Sequence, residues 1–507
     1  MSAEGSLDEL VGELLVEVQG WMGQGSEDLA QLRRDHADVL TVALAGWMKA
    51  GKSTLLNALL GEAVAATDAG ECTRVLTFYR YGPVPRAVLW LRSGQHQELR
   101  LSQRGEGAGF DADLGGVAAD AVSRLEVSWP AAPLARLCLV DTPGLSSPTP
   151  GLSARTRRAL QGELAGVALD AVIYLVRHLH PADLAFLEAF AAAPRADAGP
   201  VNALAVLARA DELGAGHVDG MAAAAAVAQR YRAEPRLRRL VQTVVPVDAR
   251  LACGAVALHD DHRRDLAVLA GLDPTRLARL LLSAELLVRS ADSPGSDPLE
   301  LAPLRRAGLV ELLGLSGLRL AVGLVRAQPQ LATAGLSQQL RERSGIGGVE
   351  TCLAEQFSSR ARLLKARATL VRLERLSRKW PDELGARLAV RVEALLANAA
   401  ELAELGELNR LRREPPWFGP PELSDAERLE ADRVLGGHGR DPGIRLGLAS
   451  ETPVGPDVWL RAATEVAGRW RVKAEGSSSS IEVVRLARVV VRAAEGLAAG
   501  AGAAGAR

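Results

Sequence analysis

Residues 39–61 read VLTVALAGWMKAGKSTLLNALLG. The first eight form a short apolar run ending at Gly46, which suits a buried parallel strand. STLLNALLG has helical spacing and stops at Gly61. Between the two, Gly46, Gly51, Lys52 and Ser53 stand at the spacing G-x-x-x-x-G-K-S. Glycines at those places let the backbone curl so that its N–H groups face phosphate oxygens. Lys52 supplies a point charge to the outer phosphates, and Ser53 offers a hydroxyl to Mg²⁺. The helix from Thr54 aims its positive end at the same place. A strand before and a helix after are the context this motif requires. Gly46, Ala50, Gly51, Lys52, Ser53 and Thr54 are therefore the expected phosphate contacts.

Three further motifs extend this one. DTPG, Asp141 to Gly144, ends an apolar strand. An Asp there holds Mg²⁺ through water, and the Gly144 N–H can bind a γ-phosphate and sense its loss. Thr73, in ECTRVLTFYR, is placed to close over the metal, with Thr67 and Thr77 as competitors for that role. ARAD, Ala208 to Asp211, occupies the place of a guanine-reading N/T-K-x-D loop. Asp211 would accept the guanine N–H groups and Arg209 would cover the ring, while Ala208 replaces the residue that normally braces the loop. The turn VDAR follows the next strand and brings Asp248 toward the base.

Strand-like runs continue at 74–82, 86–94, 134–144, 170–176, 202–211 and 240–248, with helical patterns between several of them. This alternation predicts a mostly parallel α/β sheet. Residues 5 to about 36 read as helix. After about 250 the strand signal ends, and leucine- and arginine-rich helical periodicity runs to about 497. The chain has 507 residues, 48% of them hydrophobic, enough for a sizeable core, and a formal charge of −1. No nucleic-acid partner is expected from that balance. Cys72, Cys138, Cys253 and Cys352 have neither zinc nor disulfide spacing, which suits a reducing cytosol. MSAEGSLDEL lacks the features of a signal peptide. The most apolar stretch, from Gly308, is interrupted by Glu311, Arg319 and Arg326, so no membrane-spanning helix is expected.

Together, GWMKAGKSTLLNALLG, ECTRVLTFYRYGP, LVDTPG and ARADELGAG resemble the bacterial dynamin-like GTPases, closest to the soluble actinobacterial isoniazid-inducible type. The similarity is clear over about 38 to 260 and weaker beyond. It implies a dynamin-type GTPase domain with a long all-α neck and trunk, binding GTP or GDP with Mg²⁺. It further implies a homodimer or a pairing with a paralogous dynamin-like protein, work on membranes, and a cytoplasmic position on the inner face of the plasma membrane. The expected divisions are a neck helix over 1–37, the GTPase domain over 38–255 and neck helices over 256–300. A trunk over 301–475, a C-terminal neck helix over 476–497 and a tail over 498–507 follow.

Dynamins usually carry polar residues where this chain has Met48 and Lys49. The Lys49 ammonium can be placed where a monovalent cation would neutralise charge between the β- and γ-phosphates. The competing reading turns it to solvent or across a dimer interface. Lys52, Thr73, Gly144 and Lys49 are the residues expected to act in turnover.

For the helical half, the neck-and-trunk layout sends one helix outward over 302–327 and returns another ending near Lys379. The next helix then runs out to Arg413. That places REPPWFGPP at a distal tip beside AQPQLATAG. Trp417 and Phe418 would enter a membrane interface, with Arg410, Arg412 and Arg413 drawing anionic headgroups. Alternatively, the aromatics plug the end of the bundle. Two other functional readings stay open. One is a GTPase of ribosome or RNA assembly. The other is a catalytically weak scaffold that partners a second dynamin-like protein.

Overall fold

The structure is a computed structural model and describes residues 6–22, 26–65, 75–99, 117–118, 120–142, 169–191, 202–213, 220–289, 300–380, 382–413, 423–448, 455–476 and 479–505. Two helices, α1 (Leu7–Met22) and α2 (Glu27–Ala37), take the place of the single helix expected there. The Ser26 hydroxyl accepts from Leu29 N at 3.3 Å and so starts the second helix afresh.

Among the described residues the sheet has nine strands. They are β1 (Leu40–Gly46), β2 (Thr77–Tyr81), β3 (Arg86–Leu91), β4 (His96–Leu99), β5 (Val122–Trp129), β6 (Leu137–Asp141), β7 (Ala171–Val176), β8 (Ala203–Ala208) and β9 (Val244–Val247). Their order is β4-β3-β5-β2-β6-β1-β7-β8-β9. β1 runs parallel to β6 and β7, and β8 and β9 continue in the same sense. The other wing is mixed: β2 is antiparallel to β6 but parallel to β5, and β3 is antiparallel to both β4 and β5. Sequence reading misses β4 and β5. In VSRLEVSW the apolar positions alternate with Arg124 and Glu126, because this strand buries only one face.

The central strands are buried on both faces. Leu40, Val42 and Leu44 point into one core, while Ala43 and Ala45 point into the other. This is the two-residue period of a pleated strand. The second face is covered by helices Pro181–Ala191 and Gly220–Ala233. The first is covered by α1, by α3 (Lys52–Leu60) and, unexpectedly, by helix Ala361–Ser377.

That last contact corrects the outward-and-return trunk. The returning helix expected to end near Lys379 is broken by a π-turn at Leu353–Phe357 and a 3₁₀ turn at Ser358–Arg360. Beyond the break, Leu363, Leu364, Ala366, Leu370 and Leu373 pack into the core on the first face of the sheet. Lys365 reaches Asp170 at the foot of β7, and Arg372 pairs with Asp35 of α2.

The turn at 327–335 lies against helix Asp260–Ala270, where Arg263 donates to Pro329 O at 2.7 Å and Leu331 O at 2.9 Å. The end of helix Ala400–Arg413 meets helix Pro235–Arg238 instead, with Arg238 donating to Arg412 O at 2.7 Å. The 327–335 turn and the end of helix Ala400–Arg413 are thus held by different helices, and residues 414–421 of the expected tip lie outside the described residues.

Helix Pro303–Ala327 is, by length and composition, apolar enough to cross a bilayer. Two of its arginines, Arg306 and Arg319, turn toward neighbouring helices instead. Arg306 is wholly buried and donates to Leu287 O at 2.7 Å, and Arg319 donates to Leu281 O at 3.0 Å. These partners mark it as the core helix of a helical layer.

Candidate functional site

The phosphate loop leaves β1 at Gly46, whose φ is +147°. A Cβ there would lie 2.7 Å from Leu175 O, on the strand that pairs with β1 in register Gly46↔Leu175, so the turn needs glycine. Gly51, at φ +94°, starts α3, and Leu55 N donates to Gly51 O at 2.8 Å. Lys52 folds back over the loop and donates to Trp47 O at 3.2 Å and Gly46 O at 3.4 Å. Burial pushes its ammonium below the ordinary lysine range, and Asp141 opposes that shift.

Ser53 donates its hydroxyl to Asp141 Oδ2 at 2.7 Å, across 88 residues of chain. Asp141 is buried at the end of β6, and its Oδ1 has no hydrogen-bond partner. Burial holds its carboxyl above the usual range against the pull of Lys52 and Ser53. Among the described residues, no three His, Cys, Asp or Glu side chains gather around a metal position. One hydroxyl and one carboxylate with an unused oxygen fit Mg²⁺, which takes few protein ligands and completes its shell with phosphate and water. Thr142 N and Oγ1 both donate to Leu44 O, at 3.3 and 2.7 Å, tying β6 to β1 beside the site. Sequence reading did not single this threonine out, although it lies inside DTPG.

Beyond the loop, a cavity of about 1150 Å³ is lined by Ala50, Gly51, Thr54, Arg209, Asp211 and Asp248, among others. Six of the sequence-predicted residues thus share one cavity. Arg209 sits after β8 with a left-handed backbone, φ +56°, and pairs with Glu212 at 2.5 Å. Burial, with Glu212 nearby, raises the Asp211 carboxyl. Asp248 is pushed up to about 7 by burial and by Asp211. It caps helix Ala249–Val256 by accepting from Leu251 N at 2.9 Å. Glu311 and Leu312 of helix Pro303–Ala327 also line the cavity, and Arg250 binds their helix by donating to Val310 O and Glu311 O, each at 2.9 Å. Sequence reading carried no sign of that roof.

Lys49 stands exposed at the crest of the loop with a left-handed backbone, φ +62°. Thr73, Gly144, Trp417 and Phe418 lie outside the described residues, as does Thr67, and the Arg413 side chain is likewise not described. Thr77, the other competitor for the metal, sits on β2 opposite Asp141 and points its hydroxyl to Val75 O at 3.4 Å. The two remaining arginines of the expected membrane contact are engaged elsewhere. Arg412 makes a bidentate pair with Asp432, at 2.6 and 3.1 Å, and Arg410 pairs with Glu407 at 2.8 Å. Arg412 is thus tied to helix Asp425–Val434, while Arg410 is paired along its own helix.

Residues 42–183 match the model of the dynamin family. Over 463 residues the chain is 36% identical to a curated protein, covering 91% of this chain and 90% of the other. The chain belongs to the dynamin family and is a GTP hydrolase by class, so the nucleotide it binds is guanine. That curated relative is isoniazid-induced protein IniC of Mycobacterium tuberculosis (strain CDC 1551 / Oshkosh), and the match to IniC of strain H37Rv is the same. A bacterial dynamin-like protein of Nostoc punctiforme is 37% identical over 84 residues, 14% of this chain and 12% of that one. One solved chain comes from an oligomerised bacterial dynamin pair described in terms of long-range sensing and tethering of membranes. It aligns at 16% identity and TM-score 0.33, covering 88% of this chain and 80% of that chain. That score is too low to bear on how the helices are arranged here.

Proposed function

We propose that the protein binds GTP with Mg²⁺ and hydrolyses it. In this reading Lys52 neutralises charge on the outer phosphates, Ser53 and Asp141 hold the metal, and Arg209, Asp211 and Asp248 surround the guanine. Thr73 and Gly144 complete the site as closing threonine and γ-phosphate sensor. When bound, the metal supplies charge neutralisation. The chain's own residues orient the phosphates, and no proton-abstracting side chain is required. The observation that supports this best is the 2.7 Å bond from Ser53 to Asp141, whose other oxygen is buried without a partner. The test is GTP turnover with and without Mg²⁺. Equal turnover in a chelator would overturn the metal assignment. Lys49 is proposed to stand in for a monovalent cation, and strong activation by potassium over sodium would sink that part.

Family membership supports a second element: pairing with a second copy or a paralogous dynamin-like chain, and action on anionic membranes from the cytoplasmic side. Residues 38–255 would hydrolyse the nucleotide, and the helices on either side would act as neck and trunk. Co-sedimentation with anionic liposomes, with and without nucleotide, tests it. No liposome binding in any nucleotide state would refute it. The exposed Met48, where a polar residue is usual, favours one alternative, a nucleotide-dependent scaffold. Binding without turnover, with lipid present, would favour the scaffold.

A further inference from the structure

We infer that Asp183 is a positioning residue for the phosphate loop, acting through the indole of Trp47; the inference rests on the nucleotide-binding reading above. Asp183 lies in the first turn of helix Pro181–Ala191, just after β7, and is wholly buried. Its Oδ1 accepts from Trp47 Nε1 at 2.6 Å and from the Tyr174 hydroxyl at 2.6 Å. Its Oδ2 accepts from His180 N at 2.7 Å. One carboxylate therefore joins a strand, the helix after it and the first residue of the loop that follows Gly46.

Trp47 is 38% exposed, so its N–H could reach water without this contact. It is directed inward to a carboxylate instead, an arrangement that orders a large side chain on an exposed loop. The consequence falls on the peptide that follows. Trp47 O accepts from Ala50 N at 3.1 Å and from Lys52 Nζ at 3.2 Å. The carbonyl that parks the phosphate-binding ammonium thus belongs to the residue whose side chain is anchored. β7 itself is held to β1 in register Ala45↔Tyr174, so the anchor is rigid with respect to the strand that feeds the loop. Fixing the loop before nucleotide arrives removes an ordering cost from binding.

Trp47→Phe removes the N–H with the pyrrole half of the indole and leaves Asp183 its Tyr174 and His180 donors. It is expected to stay folded, with wild-type circular dichroism and a smaller drop in melting temperature than Asp183→Asn. Its affinity for the non-hydrolysable analogue guanosine 5′-(β,γ-imido)triphosphate should fall about tenfold or more, the scale of a hydrogen bond to a charged acceptor. Asp183→Asn should weaken the analogue too. In the Trp47→Phe background it should cost no further affinity, although it lowers the melting temperature in both backgrounds. A merely structural carboxylate would move stability without that coupling in affinity.

Wild-type affinity in Trp47→Phe, or losses in affinity that simply add, would overturn the inference. Lys52→Ala in the same titration separates the two levels. If it abolishes binding while Trp47→Phe changes nothing, the anchor alone fails. If the wild-type chain binds no guanine nucleotide, the functional reading fails and takes the anchor with it.

Discussion

Lys365 Nζ lies 2.7 Å from Asp170 Oδ2, and both side chains are buried where helix Ala361–Ser377 crosses the foot of the sheet. Asp170 also accepts from Thr41 N at 2.8 Å, so a residue from the helical half completes the hydrogen bonding of a carboxylate in the GTPase domain. The pair thus joins helix Ala361–Ser377 to the residue that leads into β7.

Lys365→Met should therefore destabilise the fold by about 3–5 kcal/mol at neutral pH, the usual cost of orphaning a buried charge. Burial already holds the Asp170 carboxyl above its usual range with Lys365 present. Without the lysine it rises further. A raised folded-state pKa means stability is lost as pH rises through it, so the penalty should shrink on acidification. Melting temperatures from pH 4 to 8, with Lys365→Met/Asp170→Asn as the neutral rescue, check this. A penalty independent of pH would contradict it.

Asp248 gives a second pH dependence. With its folded pKa pushed up to about 7 by burial and Asp211, its contribution is full below the unfolded value and is lost as pH rises through about 7. Asp248→Asn keeps a helix-capping side chain but cannot ionise. Its melting temperature should gain on the wild type as pH rises from about 4 to 7, the span between the unfolded and folded values. A constant difference across that range would rule out the shift.

Gly254 marks the closest approach of the cavity roof. A Cβ there would lie 2.3 Å from Leu312 O and 2.9 Å from Leu313 Cδ2. Gly254→Ala must push helix Pro303–Ala327 away from helix Ala249–Val256, at a cost of about 1–3 kcal/mol. Thermal melts should show the loss, and amide exchange should speed up in the 303–327 helix. Wild-type protection in that helix would show that the two helices do not depend on this contact.

Lys52→Ala removes the loop's phosphate-facing charge without touching the helical core. GTP affinity should fall about 100-fold or more, as expected for loss of a charge-assisted contact, while helical circular dichroism is unchanged. Titration with a fluorescent GTP analogue measures it, and wild-type affinity would end the phosphate-loop assignment.

The phosphate loop was legible from residues 39–61 because its physics is local. An apolar run, two glycines with positive φ and a helix start are all written within one stretch. The places of Asp141 and Ala208 were legible for the same reason, each closing an apolar strand. Sequence periodicity also marked the stretch that holds Leu363, Leu370 and Leu373 as helix with a leucine-rich face. It did not show what that face is buried against. That was decided by which surfaces meet in three dimensions, and the answer was the sheet rather than a trunk partner. The same holds for Asp183 with Trp47, 136 residues apart, and for Arg412 with Asp432, 20 residues apart. A residue's type and spacing determine what it can bind. The partner it binds depends on long-range packing, which a linear pattern does not encode locally.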